Sequence, residues 1–377
     1  MNILIFIVVI VVLIIVHEFG HLIVAKLSGM RVDEFGIGYP PRAAILGKVK
    51  GTLLTLNWLP FGGFVKIFGE DGEAAGGSLT SKNSGSQTSS AAFTARPRIL
   101  QALVLIAGIA MNLLFAYVLI TGALIMGTPR ALSESEVAIA RNIELAVANV
   151  LPGSPAAIAG LLPGDSILSA EDGHFVFSGT DPAAFTEFVS NGGGNTTITL
   201  SVRGADGGEK TLFARPVAGI VSSDPARPAL GVEVATIGIV PLSLWSAIIE
   251  GASLTWGAIT ITAVGLVHFF YSIFTFSADL SQVAGPVGIV GVVGAASAGG
   301  IGTLLSIMAI ISINLALINL IPIPALDGGR LFFVIIESII RRPIKASIAQ
   351  SVNAVGFLLL ILLMVVVTVH DIFRIVG

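Results

Sequence analysis

The sequence predicts a polytopic α-helical membrane protein with about four transmembrane helices and one soluble domain inserted between the second and the third. Mean hydropathy is +0.94, and only 11% of the 377 residues are charged, where soluble domains average about a quarter. Apolar runs at 3–25, 99–126, 301–321 and 355–369 reach or approach the ~17 to 20 residues that a bilayer crossing requires. Strand-like alternation and turn residues are concentrated between the second and third of these runs, as an inserted soluble domain requires. The net charge of −3 excludes the basic field of a nucleic-acid binder. With no cysteine in the chain, disulfides, thiol nucleophiles and cysteine-ligated metals are excluded, so any metal must rest on His, Asp or Glu.

The first element, 1–29, has the length of a signal peptide at 3–16. It lacks a basic leading region and a small-residue cleavage site, and the apolar sequence continues past residue 22, so it reads as a retained transmembrane helix. Inside it lies His17-Glu18-Phe19-Gly20-His21. On a helix, positions four apart stand one above the other, so His17 and His21 can offer two imidazole nitrogens to one metal ion. Glu18 then sits beside the metal without ligating it, placed to take a proton from water as general base. The alternative is a pair of buried histidines packed against neighbouring helices. Against it, ionisable groups in a hydrocarbon-facing segment cost roughly 2 to 3 kcal/mol each, so three of them in five residues need a reason.

Segment 30–97 carries Arg31, Arg42, Lys48, Lys50, Lys66, Lys82 and Arg96, and Arg98 follows at the start of the second span. With Lys26 and the cluster Arg330, Arg341, Arg342 and Lys345, these make thirteen of the twenty basic residues, which marks both regions as cytoplasmic. Residues 72–92 are small, polar and without period, reading as a flexible linker or a substrate gate. The second span, 98–127, leads outward into the soluble domain at 137–218, with strands at 196–202 and 210–217 and a helix near 183–190. Leu151-Pro152-Gly153-Ser154-Pro155-Ala156-Ala157, Ala159-Gly160-Leu161 and Pro163-Gly164-Asp165-Ser166-Ile167-Leu168 resemble the PDZ domains of bacterial membrane proteases. Such a domain implies either a clamp for extended peptide tails, bound by strand addition, or a size filter over an active site.

Region 241–300 is the ambiguous one. Its stretch 244–276 is apolar but contains Glu250, His268 and many Ser, Thr and Gly residues. Placing both basic regions in the cytoplasm requires an even number of crossings between residues 99 and 321, so this stretch is expected to associate with the membrane without crossing. The third span, 301–340, contains Asn314 and Asn319 and then Pro322-Ile323-Pro324-Ala325-Leu326-Asp327-Gly328-Gly329. Asp327 at that helix break could be a helix N-cap. With both inward-going spans ending at the same depth, it can instead join His17 and His21 in a set of two histidines and one carboxylate, which leaves the fourth zinc position for water. A fourth span, 353–377, closes the chain.

HEFGH on the first span, the PDZ-like run after the second, and N-x-x-P-x-P-x-L-D-G-G on the third together resemble the site-2 protease family of intramembrane zinc metalloproteases, in particular the bacterial regulator-of-sigma-E protease group. Gly36-Ile37-Gly38, Leu59-Pro60-Phe61-Gly62-Gly63-Phe64-Val65-Lys66 and Ala284-Gly285-Pro286-Val287-Gly288-Ile289 extend the likeness over nearly the whole chain. The resemblance implies a Zn2+ cofactor held by His17, His21 and Asp327, with Glu18 activating water. It implies that Asn314 and Asn319 hold an unwound substrate strand, although both could instead bond between helices. It also implies a membrane-associated β-hairpin near Gly62, Gly63 and Phe64 whose edge pairs with substrate. The expected partners are the lipid bilayer, single-pass membrane proteins such as anti-sigma factors or signal-peptide remnants, and peptide tails at the PDZ domain. The expected location is the bacterial inner membrane, with the active site toward the cytoplasm and the PDZ domain outside. Two features depart from the group: residues 127–243 have room for one PDZ domain where many members carry two, and Ala107-Gly108-Ile109-Ala110-Met111-Asn112 replaces a proline-containing glycine motif. A membrane transporter, which also uses buried ionisable residues and broken helices, and a catalytically silent PDZ scaffold are the competing readings.

Overall fold

A computed structural model of the chain describes residues 2–70, 90–191, 196–204, 207–220, 224–240, 242–275, 285–342 and 344–376. Most of the linker or gate expected at 72–92 lies outside the described residues. The chain divides into two compact units, residues 1–122 with 248–377, and residues 123–247.

The first unit begins with α1 (Asn2–Leu27), a 26-residue helix. Its chain returns through a hairpin, β1 (Val32–Val49) and β2 (Thr52–Ile67), to α2 (Arg98–Met126). Lys50 and Gly51 both have positive φ, at 46° and 84°, between the paired residues Val49 and Thr52. That is a two-residue turn of the I′ type, which matches the twist of the strands it joins. Residues 34–37 pair with 63–66 on one side and with 53–56 on the other, so the second half of β2 folds back to form a further strand of the small sheet.

After the second unit come α6 (Leu244–Phe274), α7 (Pro286–Ala298), α8 (Ile301–Leu320), α9 (Asp327–Ile340) and α10 (Ala346–Val376). The expected single span at 301–340 is therefore two helices. Pro322 and Pro324 have no N–H to donate and disfavour helical geometry in the residues before them, and the helix restarts only at Asp327. Buried Val9 and Leu13 of α1 and Val293 of α7 pack with Leu304, Ile307, Ile311 and Leu315 of α8. Ala116 and Leu119 of α2 pack with Ala309 and Ile313 of α8 and with Ala258 and Ile259 of α6.

Among the described residues five helices, rather than about four, are long and apolar enough to cross a membrane. The addition is α6, which was expected to lie in the interface or re-enter. It forms one helix of 31 residues, about 46 Å at 1.5 Å per residue. Glu250 and His268 stand about 27 Å apart along it, close to the thickness of a hydrocarbon core, so neither interrupts its apolar middle.

The second unit is an antiparallel sheet with strand order β3-β9-β4-β5-β7-β8 and β6 paired to β5. The strands are β3 (Arg130–Ala131), β4 (Arg141–Val150), β5 (Ser166–Glu171), β6 (Val176–Phe177), β7 (Ile198–Arg203), β8 (Glu209–Ala214) and β9 (Val232–Ile239). Short helices α3 (Glu134–Val137), α4 (Pro155–Ile158) and α5 (Pro182–Asn191) complete it. Ile198, Leu200 and Val202 alternate inward along β7 and join Leu145, Val147, Leu161, Ile167, Phe185 and Leu230 in one core. Ser154 caps α4 by accepting the Ala157 N–H at 3.2 Å, and Pro155 takes the first helical position, where a missing N–H costs nothing. The unit reaches beyond the expected 137–218 because β9 supplies the strand between β3 and β4.

Trp245, Trp256, Ile261, Val264, Val267 and Tyr271 of α6 are exposed, an apolar surface that lipid must cover. The natural chain has no cysteine, so single cysteines at 261, 264 and 267 are expected to resist a membrane-impermeant maleimide in sealed vesicles and to react once the protein is in denaturant. Reaction in intact vesicles would overturn the lipid cover. The faces from which positions 245 and 272 react decide between a span and a helix lying in one leaflet.

Candidate metal centre

The buried residues of α1 are Val9, Leu13, His17, Gly20, His21 and Ala25. Their steps of three and four make one stripe on a helix of 3.6 residues per turn. The two histidines therefore lie on the face that packs, and each is 7% exposed. Gly20 lets α2 come close, because a Cβ there would stand 2.4 Å from the Ala107 carbonyl oxygen.

The third polar group arrives from the far end of the chain. α8 ends at Leu320, the backbone turns through the two prolines, and Asp327 opens α9. A Cβ on Gly328 would stand 2.3 Å from the Ile321 carbonyl oxygen, and one on Gly329 would stand 2.3 Å from that of Ile323. Two glycines after Asp327 thus let the chain fold tightly onto its own break. Asp327 Oδ2 lies 2.9 Å from His17 Nε2 and 3.2 Å from His21 Nε2, and the two Nε2 atoms are 3.2 Å apart.

These three donors could hold a metal ion. Nitrogen and oxygen ligands at about 2.0 to 2.1 Å around a tetrahedral zinc stand roughly 3.3 Å from one another, so the set fits zinc after shifts of a few tenths of an ångström. His17 and His21 stand in the later half of α1 and Asp327 follows the end of α8, so both helices bring their C-terminal parts to this point.

A cavity of about 550 Å³ reaches the centre. It is lined by Glu18, His21, Asp327, Arg330 and Tyr39 and by residues 63–70. Glu18 is half-buried in this wall, with its Cγ 3.3 Å from where a Cβ on Gly63 would stand. Gly63 and Phe64 line the cavity. Gly62 does not, and its bare Cα, at φ 138°, instead makes room for the Tyr39 ring. Asn314 and Asn319 stand half-buried on the last two turns of α8, outside the cavity lining.

Two residues of the Ala107–Asn112 segment, noted in the sequence only as a departure from the group and not as site residues, meet the histidines from α2. Gly108 leaves the space in which both rings sit, since a Cβ there would stand 2.3 Å from His21 Nε2 and 2.8 Å from His17 Cε1. Asn112, fully buried, has its amide 3.3 Å from His17 Nδ1. The Val104 carbonyl accepts from His21 Nδ1 at 2.8 Å. Positions 104, 108 and 112 share one face of α2 at the spacing of four that His17 and His21 share on α1, the one sequence signal that could have paired them.

The sequence pattern of peptidase family M50 matches residues 5–363. A protein of Clostridium perfringens named as a "putative zinc metalloprotease" is 36% identical over 362 residues, covering 96% of this chain and 95% of its own length. Proteins with the same description from a Nostoc species and from Agrobacterium fabrum are 33% and 30% identical. They cover 96% and 99% of this chain and 93% and 96% of their own lengths.

Gly108→Ala tests the packing of the centre, because alanine is the better helix former and any loss must come from the added methyl. Zinc affinity, measured by chelator competition on the purified protein, is expected to fall by about tenfold or more with the helix content unchanged. Affinity equal to that of the natural chain would show that Gly108 does not set the ring positions.

Proposed function

This chain belongs to peptidase family M50, and on that premise we propose that His17, His21 and Asp327 are its zinc ligands and Glu18 its general base. It is an intramembrane zinc protease, and that identity removes the transporter reading. The observation that carries the residue assignment is the meeting of three donor atoms at 2.9 to 3.2 Å, from residues 310 positions apart, beside a cavity that Glu18 lines.

Zinc, when bound, supplies Lewis-acid activation of water and of the scissile carbonyl. The rest of the chemistry belongs to side chains of the chain. Glu18 takes the proton from the attacking water and passes it to the leaving amine. Half-buried between two histidines, the Asp327 carboxylate is held against its partners, so the ligand set is organised before substrate arrives.

A peptide bond inside a helix is shielded by its own hydrogen bonds, so the substrate must be extended before water reaches it. Residues 63–66 pair with 34–37 on one side and line the cavity beside Glu18. We assign this edge, including Gly63 and Phe64, to pairing with the extended substrate strand, with Gly62 setting its shape. Asn314 and Asn319 are proposed as polar contacts to the same unwound strand where α8 ends.

The substrates proposed are single-pass membrane proteins, with anti-sigma factors and signal-peptide remnants as the classes. The second unit is proposed to be a single PDZ domain that receives peptide tails. Its support is the capped Ser154-Pro155 helix and a buried Asp165 that accepts the Leu162 N–H at 3.0 Å and pairs with Lys210 at 2.8 Å. The location proposed is the bacterial inner membrane, and the distribution of Lys and Arg supports an orientation with residues 30–97 and 330–345 in the cytoplasm and the PDZ domain outside.

In Glu18→Gln, zinc is expected to stay bound while cleavage of a transmembrane substrate in proteoliposomes falls by about 10²-fold or more. Turnover at the rate of the natural chain would remove Glu18 as the base. Asp327→Ala is expected to lose both zinc and activity. Full zinc stoichiometry in that variant, read by elemental analysis, would take Asp327 out of the ligand set.

A further inference from the structure

Asn112 is fully buried in α2, in the middle of an apolar helix, where an amide with an unmet hydrogen bond is costly. Its backbone carbonyl accepts from Ser312 Oγ of α8 at 2.8 Å. Its side-chain Nδ2 lies 3.3 Å from His17 Nδ1, and its Oδ1 is buried with no hydrogen-bond partner. That assignment of the amide suits only a His17 with its proton on Nε2, the nitrogen that faces Asp327 at 2.9 Å.

A neutral imidazole carries one proton. If Nε2 gives its lone pair to a metal, the proton sits on Nδ1, which then needs an acceptor. The amide nitrogen cannot serve, because it too is a donor. Turning the amide by 180° exchanges Oδ1 and Nδ2 in nearly the same space and gives Nδ1–H its acceptor, with Nδ2 taking the buried position that Oδ1 leaves. His21 already has the equivalent arrangement, with its Nδ1 donating to the Val104 carbonyl.

We propose that Asn112 is a positioning residue for zinc binding: its Oδ1 accepts the Nδ1–H of His17 and holds that ring in the tautomer whose Nε2 ligates. α2 then supplies the outer partner of both histidines, a side-chain amide for His17 and a backbone carbonyl for His21. Such partners typically change metal affinity by 10- to 100-fold when removed. The inference rests on His17 being a zinc ligand.

The test is zinc affinity of the full-length protein in detergent, by competition with a chromogenic chelator, for Asn112→Leu, Asn112→Asp and His17→Ala. Asn112→Leu keeps the volume and loses the acceptor, and is expected to weaken zinc binding about 10- to 100-fold. Asn112→Asp keeps an acceptor and loses the donor, and is expected to bind zinc at least as tightly as the natural chain. The Asp variant decides the question even if the Leu variant does not fold. Weakening in Asp equal to that in Leu would overturn the proposal, because it would make the amide N–H the useful group. Natural affinity in Leu, with His17→Ala impaired, would also overturn it while leaving the ligand assignment standing. Natural affinity in His17→Ala would overturn the ligand assignment itself.

Discussion

Two imidazoles can stand against a carboxylate in this apolar chain because the backbones of α1 and α2 approach with no side chain between them at two points. Gly20 meets the Ala107 carbonyl, and one residue further along α2 Gly108 faces both histidine rings. A glycine inside a helix costs about 0.5 to 1 kcal/mol relative to alanine. A buried polar group left without a partner costs about 1 to 3 kcal/mol by mutational measures and more in hydrocarbon. The glycines are therefore the smaller expense, since without them α2 could not bring the Val104 carbonyl and the Asn112 amide to the outer nitrogens of the rings. Bulk water, the usual partner for such groups, is excluded from this face.

The placing of Asp327, the proposed third ligand, depends on a different device. Irregular backbone at membrane depth is tolerated only where it is buried in protein or lines a cavity, and within the break at 321–326 Ala325 lines the cavity. Pro322 and Pro324 end α8, Gly328 and Gly329 let α9 fold back onto the carbonyls of the break, and Gly356 of α10 lies against Pro324, where a Cβ would stand 2.5 Å from the proline ring. His17 and His21 are thus placed by a continuous helix, while Asp327 is placed by a packed interruption. Buried α8 residues Ala309, Ile313 and Ala316 hold the upstream helix that carries the interruption to the site.

What could be read in the sequence follows from which features have a fixed spacing. HEFGH was legible because four residues is one helical turn, and three ionisable groups inside an apolar run demand a partner. Asp327 was legible from the prolines and glycines around it. Gly108 and Asn112 were not, because a glycine or an asparagine in an apolar helix also reads as interhelical packing, and only the α1 rings facing them reveal the difference. The 244–276 stretch was expected not to cross because both basic regions were placed in the cytoplasm; Glu250 and His268 fall far enough apart on one helix to flank an apolar middle, so its polar content alone does not bar a crossing. The extent of the second unit was underestimated at both ends, since β9 pairs with β4 across some eighty residues, a distance over which local alternation carries no information.

The cavity ties the strand proposed to pair with substrate to the proposed metal centre. Arg330 stands three residues after Asp327, on the same side of α9, and pairs with Glu70 at the end of the folded-back strand. Residues 63–66 of that strand continue into the wall beside Glu18. The Arg330–Glu70 pair therefore joins the chain that follows the strand to the first turn of α9, where Asp327 sits. Exposed ion pairs contribute little to stability, and Arg330 is partly exposed, so stability alone is a weak reason for this contact. Its position, joining the lining of the cavity to the turn that carries Asp327, is a better one.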